Sequence, residues 1–387
     1  MSECMVGWAH VPFGKRDDDV ESMICQVANA ALADAGLEAK DVDAIVVGHF
    51  NGGFVQQDFP AALVMQADPA FRFKPATRVE NACATGSTAI HVGLNTIRAK
   101  KARVVLVVGA EKMTELPTKE VGDVLLKCSY VKEEAEIDAG FAGVFGQVTA
   151  RYFQKYGDQS DVLAQIAAKN HRNGVDNPYA HMQKDFGFDF CNTVSDKNPL
   201  VAGPLRRTDC SLVSDGAAAV VLTDTETALK LNKAVVFRAA EHVTDYLPVS
   251  RREFLDMEGP ALAWQQALAN AGVNLLDLDV VESHDCFTAA ELLEYEAMGL
   301  TPKGQGRLAI DEGWTFKDGK LPVNPSGGLK AKGHPIGATG ISMHAMIAMQ
   351  MRGEAMGMQI PGAKLGGVFN MGGTAVANFV SILEPLR

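Results

Sequence analysis

The chain has 387 residues, of which 47% are apolar and 21% are charged. These proportions are typical of a globular protein that is long enough for two domains. The formal net charge of −11, spread without long runs of one sign, excludes a general affinity for nucleic acid or for an anionic membrane surface.

The first predicted unit is a helix followed by a strand, and it occurs twice. Residues 31–43 and 267–279 share seven identities in thirteen positions. In each copy a glycine, Gly36 or Gly272, suits the left-handed position that ends a helix. An apolar strand follows at residues 44–47 or 280–281. The chain therefore contains an internal repeat.

The second predicted unit is a strand at residues 76–80, then Cys83, then an amphipathic helix. The Ala-Thr-Gly sequence that opens this helix, residues 84–86, returns at residues 338–340. Free amides and the positive dipole end of a helix favour a thiolate and bind an oxyanion, so Cys83 is a candidate nucleophile. A small cysteine packed in a buried turn explains the local sequence equally well.

A third repeat match shows that the first half is longer than the second. Residues 215–217 match residues 372–374 at an offset of 157, against 254 for the Ala-Thr-Gly pair. The extra segment lies at about residues 113–208, is irregular in pattern, and is a candidate lid or binding subdomain.

The rest of the chain predicts two α/β halves, residues 1–232 and 233–387. Alternation of strands and helices favours largely parallel sheets covered by helices. Duplication places equivalent elements around a shared axis, so the helix N-termini at Cys83 and Gly340 can converge at one site.

The second half offers its own reactive side chains at residues 282–287. His284 and Cys286 lie two residues apart, and in an extended segment such residues face the same side. A hydrogen-bonded core histidine beside a packed cysteine is at least as good an explanation.

Two glycine-rich segments complete the set of candidates. Residues 324–340 surround His334, and residues 366–373 include Gly372; so many glycines indicate close approach of backbone to a ligand or another loop. A tight helix entry and a hairpin are the alternative explanations.

Two other uses of these residues are disfavoured. Cys83, His284, Cys286 and His334 include the right ligand types for zinc, but they lack the paired spacing of structural zinc motifs. Residues 140–146 do not match the dinucleotide fingerprint, and no phosphate-loop sequence is present. We therefore expect no metal and no bound cofactor.

Residues 1–16 lack the order of a secretion signal, and residues 384–387 are no peroxisomal address, so a cytoplasmic location is the default expectation. Seven irregularly spaced cysteines are typical of reduced thiols. The most apolar stretch, residues 363–386, contains repeated glycine and a central Asn370, which predicts paired buried strands rather than a membrane span.

Five collinear motifs make the whole chain resemble the thiolase superfamily, and most closely its sterol-carrier-protein type branch. They lie at residues 81–87, 108–114, 210–218, 284–287 and 333–340. The resemblance implies a duplicated α/β fold, with two similar five-stranded mixed sheets, helices sandwiched between and around them, and an inserted loop domain. It also implies a homodimer or homotetramer.

The resemblance assigns a role to each candidate. Cys83 would be the acylated nucleophile, His334 the imidazole that takes its proton, and Cys286 the thiol that exchanges a proton with the α-carbon. The amides of Cys83 and Gly372 would hold the thioester oxyanion, while His284 and His334 would hold the enolate oxygen.

One departure from the wider superfamily places the chain in this branch. Other thiolases have Asn-Glu-Ala-Phe where this chain has residues 284–287, and they carry the acid/base cysteine in a late Cys-x-Gly motif. Here residues 370–372 read Asn-Met-Gly, so the cysteine has moved to position 286.

The implied activity is thiolytic cleavage of a 3-ketoacyl-CoA, or the reverse Claisen condensation of acyl-CoA units, with coenzyme A and acyl-CoA as substrates of lipid metabolism. In an acidic protein the phosphates of coenzyme A need local cations, for which Arg206, Arg207 and Lys330 are candidates; solvated surface charge is the plainer explanation of each. Two alternatives stay open: a retro-aldol lyase acting with a small accessory protein, and a non-catalytic thiolase-like subunit.

Overall fold

Strands and helices alternate along the computed structural model, which describes residues 3–386. The elements up to residue 228 are β1 (Glu3–His10), α1 (Val20–Ala35), β2 (Ala44–Gly48), α2 (Pro60–Leu63), β3 (Ala76–Val79), α3 (Thr85–Arg98), β4 (Val104–Glu111), α4 (Thr118–Leu126), α5 (Val131–Glu134), α6 (Gly140–Tyr156), α7 (Ser160–Val175), α8 (Gly187–Asn192), β5 (Leu200–Ala202), β6 (Leu205–Arg206), β7 (Gly216–Asp224) and α9 (Thr225–Ala228). The elements after residue 228 are β8 (Val235–Thr244), α10 (Glu258–Ala271), β9 (Val280–Glu282), α11 (Thr288–Ala297), α12 (Arg307–Asp311), α13 (Gly328–Lys332), α14 (Ile336–Arg352), β10 (Gly366–Gly372) and β11 (Ala377–Pro385).

Within residues 3–386, nine strands form one mixed sheet in the order β3-β2-β4-β7-β1-β8-β11-β10-β9. Strand β2 is parallel to both β3 and β4, whereas β7 is antiparallel to both β4 and β1. In the second half, β9 is parallel to β10, and β10, β11 and β8 are antiparallel. Strands β1 and β8 join the two halves through only two residue pairs, Cys4↔Val236 and Met5↔Val235.

The two halves share one topology, and the predicted α/β fold class is confirmed. Read from the outer edge to the centre, strands β2, β4, β7 and β1 of the first half correspond to β9, β10, β11 and β8 of the second. The counterpart of β3 is a single parallel bridge, Val281↔Val323, at the outer edge. The fifth strand of the second half is thus reduced to a single bridge. The prediction of largely parallel sheets is wrong for the closing strands, because β7 is reached through the insertion and β11 through a hairpin.

The repeated helix ends are as predicted. Helices α1 and α10 stop at Gly36 and Gly272, whose φ angles are 68° and 66°. Residues without a Cβ adopt this left-handed conformation at little cost. The paired strands predicted for residues 363–386 are also present, as β10 and β11.

Alternation along the strands gives each face of the sheet its own core. In β4, Val105 and Val107 pack with α3 and α14, whereas Leu106 and Val108 pack with α1. All of these side chains are fully buried, and burial of one of them contributes about 1.5–3 kcal/mol.

Helices α3 and α14 approach each other most closely where both begin. A Cβ at Gly86 would lie 2.7 Å from the amide nitrogen of Ile341, and one at Gly340 would lie 2.2 Å from that of Ser87. Only glycine allows this contact, which brings the N-termini of the two repeated helices together as predicted.

The insertion is more regular than its sequence indicates. It contains helices α4 to α8 and a small sheet of β5 and β6, and α6 and α7 have 17 and 16 residues. No helix among residues 3–386 has the length and apolar character needed to cross a bilayer.

Candidate active site

Cys83 lies in the turn between β3 and α3, with 4% of its surface exposed. The preceding Ala82 has a φ of 50°, in the left-handed region that costs a non-glycine residue about 1–2 kcal/mol. The turn holds this conformation because Thr85 accepts a hydrogen bond from the Asn81 amide (2.9 Å) and donates one to the Ala82 carbonyl (2.6 Å). Strain of this kind is common at functional sites.

The structure brings together the four side chains selected from the sequence. The Cys83 sulfur and one ring nitrogen each of His284 and His334 all lie within 4.8 Å of one another. The two imidazole rings meet edge to face with centroids 5.1 Å apart. The Cys286 thiol is buried close enough to Cys83 for that sulfur to raise its pKa.

Hydrogen bonds determine which nitrogen of His334 carries the proton. Its Nδ1 lies 2.7 Å from the hydroxyl of Thr339, and that hydroxyl donates to the Pro335 carbonyl (3.0 Å). The hydroxyl hydrogen is thus in use, so Nδ1 is the donor and Nε2 keeps a lone pair. Nε2 is buried without a hydrogen-bond partner among residues 3–386. It is therefore free to accept a proton.

Asn370 determines the opposite arrangement at His284. Its Nδ2 donates to the Cys83 carbonyl (3.2 Å) and to Nδ1 of His284 (2.8 Å), and its Oδ1 accepts from the Ser87 hydroxyl (2.7 Å). A carbonyl can only accept, which fixes the orientation of the amide. Nδ1 of His284 is therefore an acceptor, and Nε2 carries the hydrogen as a donor.

Both imidazoles are neutral at physiological pH. Burial, followed by the charge of Lys332, lowers the pKa of His334 to about 3. Burial, followed by His334, lowers the pKa of His284 well below its ordinary value. One neutral imidazole thus offers a base and the other a hydrogen-bond donor.

The helix N-terminus is expected to favour a thiolate at Cys83, but burial acts in the opposite direction. Burial raises the pKa of Cys83 to about 12, and the hydrogen bond from the Gly373 amide offsets this only in part. Burial and then Cys83 raise the pKa of Cys286 well above its ordinary value. Both sulfurs are therefore thiols until a proton acceptor enters the site.

The three atoms within 4.8 Å are also close enough to bind one metal ion. Coordination by His284 requires a free lone pair on a ring nitrogen, but Nδ1 is bonded to Asn370 and Nε2 carries the hydrogen. Rotation of Asn370 would put its oxygen against the Cys83 carbonyl. The hydrogen-bonding pattern therefore fits proton transfer better than metal binding.

Gly372 and Gly373 bring the end of β10 onto the Cys83 turn. A Cβ at Gly372 would lie 2.2 Å from the Asn81 carbonyl oxygen, so this approach requires glycine. The amide of Gly373 bonds to the Cys83 sulfur. The oxyanion role of the Cys83 and Gly372 amides stays a prediction.

The cations suggested for coenzyme A differ in their surroundings. Arg206 is 2% exposed, and its guanidinium donates to Asp209 (2.9 Å), Asn192 (3.0 Å) and the Ser160 carbonyl. Burial and these three internal partners do not favour contact with a solvated phosphate, and the role of Arg206 in binding coenzyme A stays a prediction. Lys330 is also 2% exposed.

Lys330 is buried and Arg207 is exposed, so the two side chains differ in their access to a phosphate in solvent. Burial lowers the pKa of Lys330, and its depth does not suit contact with a solvated phosphate. Arg207 is exposed and is the one residue of the three that suits such a contact.

Sequence reasoning missed two residues that orient the imidazoles. Asn370 was noted only as a polar residue in an apolar stretch, and Thr339 only as part of a repeated tripeptide. The signal for Asn370 was its place in a buried strand, where an unpaired amide is costly and a partner must exist.

The chain is similar to known proteins over most of its length. The family described as "Thiolase, N-terminal domain" matches residues 4–187, and "Thiolase C-terminal domain-like" matches residues 240–385. The chain is 36% identical over 389 residues to an acetyl-CoA acetyltransferase of Methanothermobacter thermautotrophicus, covering 98% of both chains. It is 35% identical over 382 residues to sterol carrier protein 2 of Homo sapiens, covering 93% of this chain and 67% of the relative.

Solved structures with lower identity show the same fold. A chain of the Ltp2-ChsH2(DUF35) aldolase has a TM-score of 0.84 at 22% identity, covering 100% of this chain and 98% of that one. An acetyl-CoA acetyltransferase from Syntrophomonas wolfei has a TM-score of 0.74 at 19% identity, covering 99% and 98%.

The chain belongs to the thiolase family. Its relatives include proteins named acetyl-CoA acetyltransferase and sterol carrier protein 2, which confirms the resemblance drawn from the five motifs.

Proposed function

We propose that this protein is an acyl-CoA C-acyltransferase that cleaves 3-ketoacyl-CoA with coenzyme A, or condenses two acyl-CoA units, through an acyl-Cys83 intermediate. The observation that carries the proposal is the convergence of Cys83 with His284 and His334, three atoms within 4.8 Å. Their hydrogen bonds give one imidazole a free lone pair and the other a free N–H, which is what acyl transfer followed by enolate chemistry requires.

In the first half-reaction the Cys83 sulfur attacks the thioester carbonyl carbon. The proton of Cys83 passes to Nε2 of His334, the bond from carbonyl carbon to coenzyme A sulfur breaks, and the departing thiolate takes the proton of Cys286. The products are acyl-Cys83, free coenzyme A, an imidazolium at His334 and a thiolate at Cys286. Because the two charges are opposite and close, each offsets part of the cost of burying the other.

In the second half-reaction the Cys286 thiolate removes the α-proton of another acyl-CoA. The enolate oxygen accepts a hydrogen bond from Nε2 of His284, and the α-carbon attacks the carbonyl carbon of acyl-Cys83. The Cys83 sulfur leaves and recovers its proton from His334. Both thiols and both imidazoles end as they began, and thiolysis follows the same steps in reverse.

The acyl group has an apolar environment next to the nucleophile. Cys83 belongs to a small buried cluster that also contains Phe54, Met113, Val121, Val124 and Ile336. Phe54 also lines a cavity of about 810 Å³. We propose that this side of Cys83 receives the acyl chain, and that the exposed Arg207 contacts coenzyme A phosphate.

The test is to incubate the purified protein with acetyl-CoA or acetoacetyl-CoA, quench it in acid, and measure the mass of the peptide that contains Cys83. We expect an acyl increment that is absent in Cys83→Ala. With acetyl-CoA the increment should persist in Cys286→Ala, because the departing coenzyme A thiolate can take its proton from water, whereas this variant lacks the base for the second half-reaction.

The same experiment separates the alternatives. A retro-aldol lyase acting with an accessory protein would turn over after Cys83→Ala, and a non-catalytic subunit would give neither adduct nor turnover. Either result would contradict the proposal. A homodimer or homotetramer is expected, and light scattering measures the molar mass directly.

A further inference from the structure

Asp285 lies between the two reactive residues of the second half, and its side chain is fully buried. Consecutive backbone hydrogen bonds, from Asp285 N–H to the Ser283 carbonyl (3.1 Å) and from Cys286 N–H to the His284 carbonyl (3.0 Å), fold this segment into two successive γ-turns. The side chains of His284 and Cys286 lie near Cys83, whereas that of Asp285 lies against the backbone of α13.

The carboxylate of Asp285 ties this segment to two other parts of the chain. Its Oδ1 accepts from the Leu329 amide (2.6 Å), and its Oδ2 accepts from the Lys330 amide (3.2 Å) and from Nδ2 of Asn170 (2.7 Å). Leu329 and Lys330 open α13, and Asn170 lies on α7 of the insertion. A Cβ at Gly328 would lie 2.3 Å from Oδ2, so the backbone of α13 is built around this carboxylate.

A second buried carboxylate holds the partner of Asp285 in place. Glu291 Oε2 accepts from Nδ2 of Asn170 (2.6 Å) and of Asn324 (3.0 Å). Glu291 Oε1 accepts from the ammonium of Lys169, which also bonds to the Val323 carbonyl (3.1 Å). Nδ2 of Asn170 is thus shared between two buried carboxylates, and its bond to Glu291 opposes movement with a displaced Asp285.

We propose that Asp285 is a positioning residue that sets the distance of His284 and Cys286 from Cys83. It touches neither substrate nor the reacting atoms; it acts through its two neighbours in the chain. The inference rests on the proposed function and adds a specific consequence to it. Because His334 is anchored separately by Thr339 (2.7 Å), loss of Asp285 affects the enolate half-reaction far more than the acylation of Cys83.

Asp285→Asn tests this with almost no change in volume. Asparagine has one acceptor oxygen where aspartate has two, so at least one of the three donors loses its partner. The Asn side chain also turns its own N–H groups towards a donor. We expect the His284–Cys286 segment to shift, and a shift of about 1 Å in a reacting group costs about 100-fold in rate.

Asp279→Asn is the matched control. Asp279 precedes β9, at the end of the strand remote from the site, and Oδ2 accepts from the amides of Lys364 (2.7 Å) and Leu365 (2.9 Å). It therefore loses a carboxylate that binds two backbone amides without a change near Cys83.

Two rates are measured for each variant: the appearance of the acyl mass on Cys83, and the incorporation of solvent deuterium into the methyl group of acetyl-CoA. In Asp285→Asn we expect acylation within about 3-fold of the Asp279→Asn rate and exchange lower by about 100-fold. Equal losses in both rates, or the same exchange rate in the two variants, would overturn the inference.

A second readout does not depend on turnover. Cys286 is 3% exposed, and its alkylation by iodoacetamide, followed by mass spectrometry, should become about 10-fold faster in Asp285→Asn than in Asp279→Asn. If wild-type protein forms no acyl-Cys83, the proposed function fails, and the alkylation rates still decide the positioning role. Equal rates for Cys286 in the two variants would refute it.

Discussion

Burial raises the pKa of Cys83 and backbone hydrogen bonds lower it, and the effect of burial is the larger one. The sulfur lies at a helix N-terminus and accepts a bond from Gly373, yet its pKa rises to about 12. A thiol at rest is protected from oxidants and alkylating agents, since only the thiolate reacts readily. In the proposed mechanism activation therefore comes with the substrate, whose carbonyl accepts the electron pair while His334 takes the proton.

This leads to a prediction about the pH dependence of alkylation. We expect the rate at which iodoacetamide modifies Cys83 to increase continuously from pH 6 to pH 10, because the folded pKa lies above this range. A plateau beginning near pH 7 would show a stable thiolate–imidazolium pair instead. Mass spectrometry of the Cys83 peptide gives the alkylation rate. The same measurement in denaturant gives the rate for the exposed thiol, as a reference.

At the residue scale the sequence was informative wherever a motif carried the chemistry. Cys83, His284, Cys286 and His334 each lie in a turn rich in glycine or next to a strand end, and the structure brings them together, while their catalytic roles stay predictions. The burial of Arg206 was not found, since it depends on Asp209, Asn192 and Ser160, which only the folded chain brings together. Local sequence shows charge but not where that charge points.

At the scale of elements, the contact between α3 and α14 joins the two halves at the site. A Cβ at Gly340 would lie 2.2 Å from the Ser87 amide nitrogen and 2.5 Å from Oδ1 of Asn370. The first contact would separate the helices, and the second would displace the side chain that orients His284. Packing and chemistry therefore depend on the same glycine.

Gly340→Ala should accordingly lower the free energy of unfolding by about 1–3 kcal/mol, the usual cost of overpacking. The midpoint of urea unfolding measures this change. Gly122→Ala is the control, because a Cβ there meets no atom within 4 Å in helix α4. We expect that variant to be as stable as the wild type or slightly more stable, as alanine favours a helix. Equal effects of the two substitutions would contradict the proposed close packing.

The internal repeat predicted the positions of helices and strands better than it predicted the direction in which the strands pair. The helix ends at Gly36 and Gly272 follow from a short-range rule, and the joined N-termini of α3 and α14 follow from the duplication. The antiparallel closing strands and the helices of the insertion do not. Strand direction depends on how the chain returns to the sheet, and α6 and α7 are stabilised by contacts distant in sequence.

At the scale of the whole molecule, buried imidazoles make stability depend on pH. Burial lowers the pKa of His10, His91 and His334 to about 3, of His171 to about 2 and of His344 to about 4, and lowers that of His284 as well. In the unfolded chain histidine titrates near pH 6.5. As the pH falls below this value, the unfolded state takes up protons that the folded state excludes, so stability decreases.

Buried thiols and buried carboxyls also make the stability depend on pH, because burial raises their pKa values. Burial raises the pKa of Cys4 and Cys191 to about 11 and that of Cys83 and Cys210 to about 12. Above about pH 8.5 the unfolded chain loses thiol protons that the folded chain keeps, so stability falls again. The pKa values of Asp285 and Glu294 are raised, which opposes the histidines at acid pH, but two carboxyls are outnumbered by six imidazoles.

We therefore expect the free energy of unfolding to be greatest between about pH 6.5 and pH 8.5 and to fall on both sides. Each group contributes at most about 1.4 kcal/mol per pH unit. Urea titrations at pH 5, 7.5 and 10 measure the curve. A stability that keeps rising from pH 7.5 to pH 5 would show that the imidazoles are charged in the folded state.

The division of the site between the two repeats has a consequence for how such a centre can change over generations. In the proposed mechanism the nucleophile belongs to one repeat, and both imidazoles with the second thiol belong to the other. Neither repeat then holds the full set by itself, so we expect a fragment ending before β8 to be inactive even if it folds. The two contributions are nevertheless encoded apart, and mutation can retune the proton-handling side while leaving the acyl-carrying side untouched.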